Sequence, residues 1–288
     1  MTAAALEAAR ALLAGCDLAP GADGADPLTA LLYDRWFHAM TGAVRSYPEA
    51  AAYAAIALAA RPFEPDWIAE APVEGVPGAI RACRGATLRE APPLFWVGAA
   101  RASLRPMPGE PLLLSPWRCA EQGGFWHLWS PVWPARPARR ITRWYFRLAA
   151  EAEPGFVALL AAHAPLDRAF ACKLLCGAHQ DGRRDTAVLY APVERAAWLA
   201  TLFAALAPCL ESGDGPPFTE VLAPGIARAD DPGNTQSFGQ HRCSLLASAA
   251  RQRPEALSDA AAWRASVTAR FEAEGLSLDQ PWRRGGAR

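Results

Sequence analysis

Two short apolar runs decide the fold: FACKLLC at residues 170–176 and TAVLY at residues 186–190. Each run is short, apolar and bounded by polar or turn residues, which is typical of strands buried inside a sheet. The segment 177–185 between them is polar and contains two glycines. We therefore predict two buried strands joined by a polar hairpin.

For the residues before these two strands, the sequence predicts first a helical region and then a region of strands. Residues 2–62 show the apolar spacing of helices. Residues 92–149 are aromatic and strand-like, with a proline- and arginine-rich turn at 131–140. Their apolar runs lie at 94–97, 112–114, 125–129 and 141–148.

After the two strands, helices dominate. Helices are predicted at 153–163, 192–210, 240–251 and 256–274, with a short strand at 218–222. Residues 224–240 have no periodicity and predict a long, functional loop. This order predicts an α+β fold with a mixed or antiparallel sheet and C-terminal helices. We expect a helical N-terminal region, 1–65, packed on an α+β region, 66–288, as one compact unit.

The composition excludes several classes of protein. The 288 residues carry 29 basic and 29 acidic side chains, and this balance argues against a general binder of nucleic acid or anionic membranes. No apolar stretch is long enough to span a membrane, and residues 1–14 predict an amphipathic helix, not a signal peptide. The seven scattered cysteines lack a C-x-x-C pair, as expected of reduced thiols. We therefore expect a cytoplasmic protein.

Lys173 is the only lysine among the 29 basic residues. An ammonium group can lose its proton when it is partly buried, whereas a guanidinium stays charged. A lysine kept in a chain that otherwise uses arginine can therefore serve as a base. The alternative, that this single lysine was retained by chance, explains its presence about equally well.

Four of the five histidines stand alone on predicted elements or turns, and we interpret them as structural residues. They are His38, His127, His163 and His179. The spacing of Cys172, Cys176 and His179 is not that of zinc ribbons or fingers. The common phosphate-loop, dinucleotide, zinc-protease and serine-hydrolase motifs are absent from the sequence. We predict no metal and no cofactor.

The segment 168–243 concentrates side chains that suit a phosphate ester. Removing phosphate from a β-carbon needs a base for the α-proton, cations for the phosphate and an acid for the leaving group. Amine, guanidinium and imidazole groups meet these needs. The segment supplies them at Lys173, at 183–184 and at 241–242. Taken from the residues alone, the favoured alternative is that 183–185 forms a surface hairpin and 233–239 a turn and helix cap.

The same segment resembles the HopA-type type III secretion effector family, which also includes proteins encoded in peptide natural-product clusters. The resemblance is specific over 168–250 and weaker over 31–36 and 141–148. The motifs that carry it are Lys173, RDTAVLY at 184–190, PFT at 217–219, LAPG at 222–225, DPG at 231–233 and SFGQHRC at 237–243.

The resemblance implies a phosphoserine/phosphothreonine lyase without metal. Family members from class V lanthipeptide and thioamitide pathways act on a ribosomal precursor peptide that a kinase-like phosphotransferase has phosphorylated. They eliminate the phosphate and leave dehydroalanine or dehydrobutyrine. At matching positions, the resemblance implies Lys173 as the base and His241 as the acid. The implied phosphate ligands are Arg184, Arg242 and Arg143, and the implied supporting residues are Asp185, Asp231, Tyr190 and Ser237.

Two alternatives stay open beside the lyase. One is a non-catalytic partner of the same fold that binds the precursor peptide or its kinase. The other is a different enzyme on this fold, such as a phosphatase or a cyclase. The resemblance also does not separate a secreted effector from a biosynthetic lyase.

Overall fold

The chain folds around a seven-stranded antiparallel sheet. The computed structural model describes residues 3–19, 26–40, 42–75, 77–91, 96–98, 107–133, 140–180, 183–192, 197–233 and 236–284. In spatial order the strands are β13 (Glu220–Ala223), β14 (Ile226–Asp230), β9 (Ile141–Phe146), β12 (Ala187–Pro192), β10 (Ala171–Leu175), β8 (Phe125–Trp129) and β7 (Arg118–Gln122). The two strands predicted at 170–176 and 186–190 are confirmed as β10 and β12, which pair directly.

Helices cover both faces of this sheet, so it has an apolar core on each side. The first core involves α3 (Ala50–Ala59), α4 (Glu153–His163) and α5 (Ala197–Leu206). The second involves α1 (Ala3–Leu13), α2 (Pro27–Leu31), a π-helix (Leu32–Phe37), α6 (Phe238–Gln252) and α7 (Ala260–Ala273). Side chains alternate along a strand. Cys172 and Leu174 therefore enter the first core, and Lys173 points toward the second layer.

A five-stranded sheet and a short strand pair complete the described structure. The strands of the sheet, in spatial order, are β4 (Thr87–Ala91), β3 (Ile80–Arg84), β2 (Glu64–Pro72), β6 (Pro111–Leu114) and β5 (Trp96–Gly98). Separately, β1 (Val44–Tyr47) pairs with β11 (Gly177–Gln180). Trp67 and Ile80 of the smaller sheet are buried in the first core, which joins the two sheets through one apolar interior.

The start of α6 is fixed by local hydrogen bonds. The Ser237 hydroxyl accepts from the Gln240 N–H, and the Gln240 side chain accepts from the Ser237 N–H. This reciprocal pair satisfies two backbone donors that a helix start leaves free. It therefore sets where α6 begins against the second face of the sheet.

The prediction of an aperiodic loop over 224–240 was wrong for residues 226–230, which form β14. Gly225 has a φ of +72° and turns the chain from β13 into β14. Strand pairing along β9 then orders the segment. Its small side chains, Ala227 and Ala229, are buried under the helices of the second layer. Alanines have little strand propensity, so the local sequence did not indicate a strand.

The predicted α+β class is confirmed by this combination of antiparallel sheets and covering helices. The predicted strand at 94–97, turn at 131–140 and helix at 192–210 fall partly outside the described residues; β5 begins at Trp96 and α5 at Ala197. The division into regions 1–65 and 66–288 stays a prediction. In the part of the chain that the structure describes, no helix is both long enough and apolar enough to cross a membrane.

Candidate functional site

Lys173 lies in the middle of the seven-stranded sheet, on its second face. Its Cα is opposite Val188 of β12 on one side and His127 of β8 on the other. Residues directly opposite in antiparallel strands present their side chains to the same face. Lys173, Val188 and His127 therefore form one row across the sheet.

The amine of Lys173 rests on an aromatic ring. Its Nζ lies 4.2 Å from the centroid of the Phe125 ring. The guanidinium carbon of Arg183 lies 5.6 Å from the same centroid, so the ring carries two cations. Within the described ranges, no carboxylate forms an ion pair with the amine. The aromatic face holds the ammonium group in place and leaves its N–H groups available.

His38, Asp185 and Arg183 form a buried cluster beside this amine. His38 Nδ1 lies 2.8 Å from Asp185 Oδ1, and Arg183 Nη2 lies 3.1 Å from both His38 Nε2 and Asp185 Oδ1. A guanidinium can only donate, so His38 Nε2 accepts and Nδ1 carries the hydrogen. The cluster thus fixes the tautomer of His38, with the hydrogen on Nδ1, the nitrogen that lies beside the Asp185 carboxylate.

Burial and nearby charges shift the pKa values of two groups around Lys173, Asp185 and His127. Burial opposes ionisation of Asp185, yet the His38 and Arg183 partners lower its pKa, so it is a carboxylate. Burial, with a further contribution from the Lys173 charge, lowers the pKa of His127 to about 4. Near neutral pH Asp185 is therefore a carboxylate and His127 a neutral imidazole.

Arg143, Tyr190 and Asp231 form a second polar group on the same face. Arg143 on β9 is opposite Tyr190 on β12, and its guanidinium carbon lies 5.3 Å from the Tyr190 ring centroid. Both Nε and Nη2 of Arg143 approach Asp231 Oδ2, at 2.7 and 2.6 Å. Tyr190 is also opposite Ala171, two residues before Lys173. Asp231 therefore orients Arg143 one row away from Lys173.

Tyr33 connects the π-helix with the start of α6. Its hydroxyl accepts a hydrogen bond from the Ser237 hydroxyl at 3.3 Å, and its ring packs edge-on against His38, with 4.3 Å between centroids. Burial raises the pKa of Tyr33 to about 12, and the charge of Asp185 adds to the effect. Tyr33 is therefore a neutral phenol that ties the His38 cluster to Ser237.

Arg184, His241 and Arg242 make other contacts. The Arg184 N–H donates to His38 O, whereas its side chain interacts electrostatically with Arg147 and Asp214; burial lowers its pKa. His241 Nδ1 lies 2.6 Å from Arg242 Nη1. Burial and the Arg242 charge lower the pKa of His241. None of the contacts in the described ranges links these three side chains with Lys173.

Arg242 is fully buried and binds the segment 281–283. Its Nε donates to Pro281 O at 2.9 Å and its Nη2 to Arg283 O at 3.0 Å. The guanidinium carbon also lies 4.9 Å from the Phe238 ring centroid and 5.9 Å from that of Phe271. All three of its nitrogens thus have protein partners.

The comparison with protein families decides the identity. The HopA1 effector protein family model matches residues 128–283, more than half of the chain. The chain belongs to the HopA1 effector protein family. The matched residues include Lys173, Asp185 and α6, whereas Tyr33 and His38 lie before them.

Two solved structures resemble this HopA1-family chain. The effector protein from Pseudomonas syringae pv. syringae strain 61 has 11% identity and a TM-score of 0.50, with 98% of this chain and 97% of that chain covered. The effector protein from Pseudomonas syringae pv. tomato strain DC3000 has 18% identity and a TM-score of 0.45. That alignment covers 56% of this chain and 63% of the other, less than two thirds of its length. At 11% identity, the likeness to the strain 61 protein concerns the fold alone. A comparison with curated proteins found no match.

Sequence reasoning missed two residues of the site in this HopA1-family protein: Phe125, which contacts the Lys173 amine, and His38, which contacts Asp185. The alternative of a surface hairpin at 183–185 was wrong, because Asp185 is only 3% exposed and the Arg183 side chain only 9%. A signal was present in the sequence, since Asp185 directly precedes a buried strand. A carboxylate at that place needs a buried partner.

The cysteine and histidine group considered for zinc has other roles. Cys172 is buried in the first core, on the sheet face away from Lys173. His179 Nε2 lies 2.8 Å from Gly124 O and 2.9 Å from Cys176 O, so this nitrogen carries a hydrogen and donates it. A protonated nitrogen held between two carbonyl oxygens is a structural contact.

Proposed function

We propose that this HopA1-family protein eliminates phosphate from phosphoserine or phosphothreonine in a ribosomally made peptide. The observation that carries the proposal is the placement of the chain's only lysine, whose amine lies on Phe125 without a carboxylate partner among the described residues. In the reaction the amine takes the α-proton, the electron pair forms the Cα=Cβ bond, and the bond from Cβ to the phosphate oxygen breaks. The products are a dehydroamino acid and inorganic phosphate.

Lys173 suits the role of the base because an amine, unlike a guanidinium, can exist without its proton. Its position in the sheet centre limits the motion of the long side chain. The His38–Asp185–Arg183 cluster helps to position the Lys173 amine. Asp185 is held between His38 and Arg183, and its charge acts on Lys173. Asp185 thus acts as a positioning residue.

Guanidinium groups on the same face suit the phosphate. Arg143 is oriented by Asp231, and we add Arg183 to it, because it shares the Phe125 ring with Lys173. Arginine binds phosphate through paired N–H groups. Arg184 remains a proposed phosphate ligand, as the family resemblance implies. We assign Arg242 to holding α6 and the C-terminal segment, because protein groups already occupy its nitrogens.

His241 is the proposed donor to the leaving phosphate. Its Nδ1 accepts from Arg242, which places the ring hydrogen on Nε2. Its lowered pKa makes this a neutral donor near pH 7. The hydroxyls of Tyr190 and Ser237 are proposed to line the same space.

The proposal includes partners and a compartment. The substrate is a precursor peptide phosphorylated by a kinase-like phosphotransferase. A cytoplasmic location is supported by the seven cysteines, which are all free thiols.

The test is the intact mass of phosphoserine and phosphothreonine peptides after incubation with wild type and with Lys173→Arg. We expect wild type to remove the mass of phosphoric acid and Lys173→Arg to remove nothing, because arginine keeps the charge but cannot act as the base. A thiol added afterwards should react with the dehydro product, which separates a lyase from a phosphatase.

Each other outcome contradicts a defined part of the proposal. Loss of phosphate that leaves the hydroxyl indicates a phosphatase. Elimination by both proteins removes Lys173 as the base. Binding without any mass change in either protein favours the non-catalytic partner. Equal thermal unfolding of the two proteins serves as the control that the substitution preserves the fold.

A further inference from the structure

We propose that the cleft between β4 and β7 binds an extended, acidic peptide segment. This cleft has a volume of about 730 Å³ and lies between the two sheets. Its walls come from β2, β3 and β4 of the five-stranded sheet and, from the other sheet, from Arg118 of β7, Trp129 of β8 and residues 131–133. Binding in the cleft does not depend on the proposed elimination. Its use in holding the peptide that Lys173 acts on rests on the proposed function.

Two edge strands, β4 and β7, border the cleft. In the described part of the chain, β4 pairs only with β3, at the edge of the five-stranded sheet, and β7 pairs only with β8, at the edge of the seven-stranded sheet. An edge strand presents unpaired N–H and C=O groups. Four consecutive residues of β4, 87–90, line the cleft. An extended peptide can therefore add to β4 as a further strand.

The charge of the cleft favours an acidic peptide. Its two glutamates are already paired: Glu64 lies 3.2 Å from Arg84, and Glu90 lies 2.9 Å from Arg81. Arg89 and Arg118 form no direct ion pair among the described residues, although the charge of Glu64 acts on Arg89. These two guanidiniums therefore give the cleft an uncompensated positive charge.

Arg89 and Arg118 are also incompletely bonded. Arg89 Nη2 donates to Trp117 O at 2.6 Å and Arg118 Nη2 to Trp133 O at 2.5 Å, whereas the buried Nε of each has no partner within the described ranges. Burial lowers the pKa of both, that of Arg89 to about 10. A carboxylate in the cleft would offset the desolvation of these two guanidiniums by its charge.

Apolar side chains at the cleft suit the remaining peptide residues. Leu88 is 62% exposed and Val132 is 50% exposed, although both line the cleft. Trp129 and Trp133 add aromatic walls. Alternate side chains of an added strand can pack on these groups while its backbone pairs with β4.

One wall residue of the cleft, Trp129, lies near Lys173 in the sheet. Trp129 stacks on His127, with 5.4 Å between ring centroids, and His127 is opposite Lys173 in the sheet. The two residues from Trp129 to His127 correspond to about 7 Å of strand. A peptide held in the cleft is therefore within a few residues of the amine.

The test uses fluorescence anisotropy with degenerate peptide libraries whose central residue is fixed as glutamate or as glutamine. We expect wild type to bind the glutamate library about tenfold more tightly, the effect of one charge-assisted hydrogen bond. Arg89→Gln and Arg118→Gln should lose this preference. Arg253→Gln, an exposed arginine near the end of α6, should keep it.

A glutamate library with N-methylated backbone amides tests strand addition without altering the protein. We expect it to lose binding, because methylated amides cannot donate to β4. Equal binding of the glutamate and glutamine libraries to wild type, or unchanged binding after N-methylation, would overturn the proposal. Lys173→Arg should bind the glutamate library as wild type does. Failure of the proposed elimination can therefore be distinguished from failure of the proposed peptide binding in the cleft.

Discussion

His38 Nδ1 and Asp185 Oδ1 lie 2.8 Å apart in the interior, and they join the end of the π-helix to the segment that leads into β12. Arg183 completes the cluster from two residues before Asp185. The contact places the N-terminal helices over the same sheet face that carries Lys173. A polar cluster is thus built from distant parts of the chain at the centre of the second layer.

Asp185→Asn should destabilise the protein and abolish elimination. The amide keeps the shape of the side chain but leaves the buried Arg183 charge without its partner, which costs about 3–5 kcal/mol. Urea unfolding near neutral pH measures the loss of stability. A variant as stable as wild type would contradict the assignment of a buried ion pair.

The acid dependence of Asp185→Asn should also differ. Because the folded protein lowers the pKa of Asp185, the carboxylate contributes stability above its unfolded-state pKa of about 3.9. That contribution is lost as the pH falls through the lower folded value. Unfolding curves recorded down to about pH 3 should therefore show a smaller loss of stability in the variant.

His127→Gln should change stability in a different pH window. The pKa of His127 is about 4 in the folded protein, compared with about 6.5 in the unfolded chain, so the unfolded chain binds more protons between these values. The stability of wild type should therefore fall as the pH is lowered through this window, and that of His127→Gln should fall less. Identical slopes for the two proteins would show that His127 is not buried beside Lys173.

Arg242→Ala should unfold much more easily than Arg253→Ala, although both arginines lie at α6. Arg242 is fully buried, and its removal leaves Pro281 O and Arg283 O without their donor and opens a cavity between Phe238 and Phe271. We expect a loss of about 3 kcal/mol or more. The exposed Arg253 should change stability by less than about 0.5 kcal/mol. Calorimetry compares the two variants; equal midpoints would leave Arg242 free to bind phosphate.

The apolar pattern predicted β10 and β12, because a buried strand needs a continuous run of apolar residues and local turn signals mark its ends. The same pattern failed for β14, whose alanines are buried by pairing and by the covering helices. The spatial order of the strands also could not be predicted from the sequence. The pairing of β9 with both β14 and β12 depends on contacts between distant segments.

In the candidate site, too, some residues could be predicted from the sequence and others depend on contacts between distant segments. Lys173 stood out because a lysine is rare in this chain, and Asp185 because the resemblance included it. His38 gave no signal, since its partners are more than a hundred residues away and only the fold brings them together. Phe125 was part of a predicted strand, but its contact with the Lys173 amine depends on the register between β8 and β10.

Gly239→Ala should disturb the π-helix, and Gly15→Ala serves as its control. A Cβ at Gly239 would lie 2.6 Å from a Phe37 ring carbon and 2.7 Å from one in Tyr33, whereas a Cβ at Gly15 meets nothing within 4 Å. Crowding of this kind in a packed interior costs about 1–3 kcal/mol. Because Tyr33 and Phe37 both contact the His38 ring, the displaced rings should also weaken the His38–Asp185 contact. Urea unfolding and the histidine N–H signal in the NMR spectrum report the two effects. A Gly239→Ala protein that matches Gly15→Ala in both would show that the π-helix does not pack on α6 in this way.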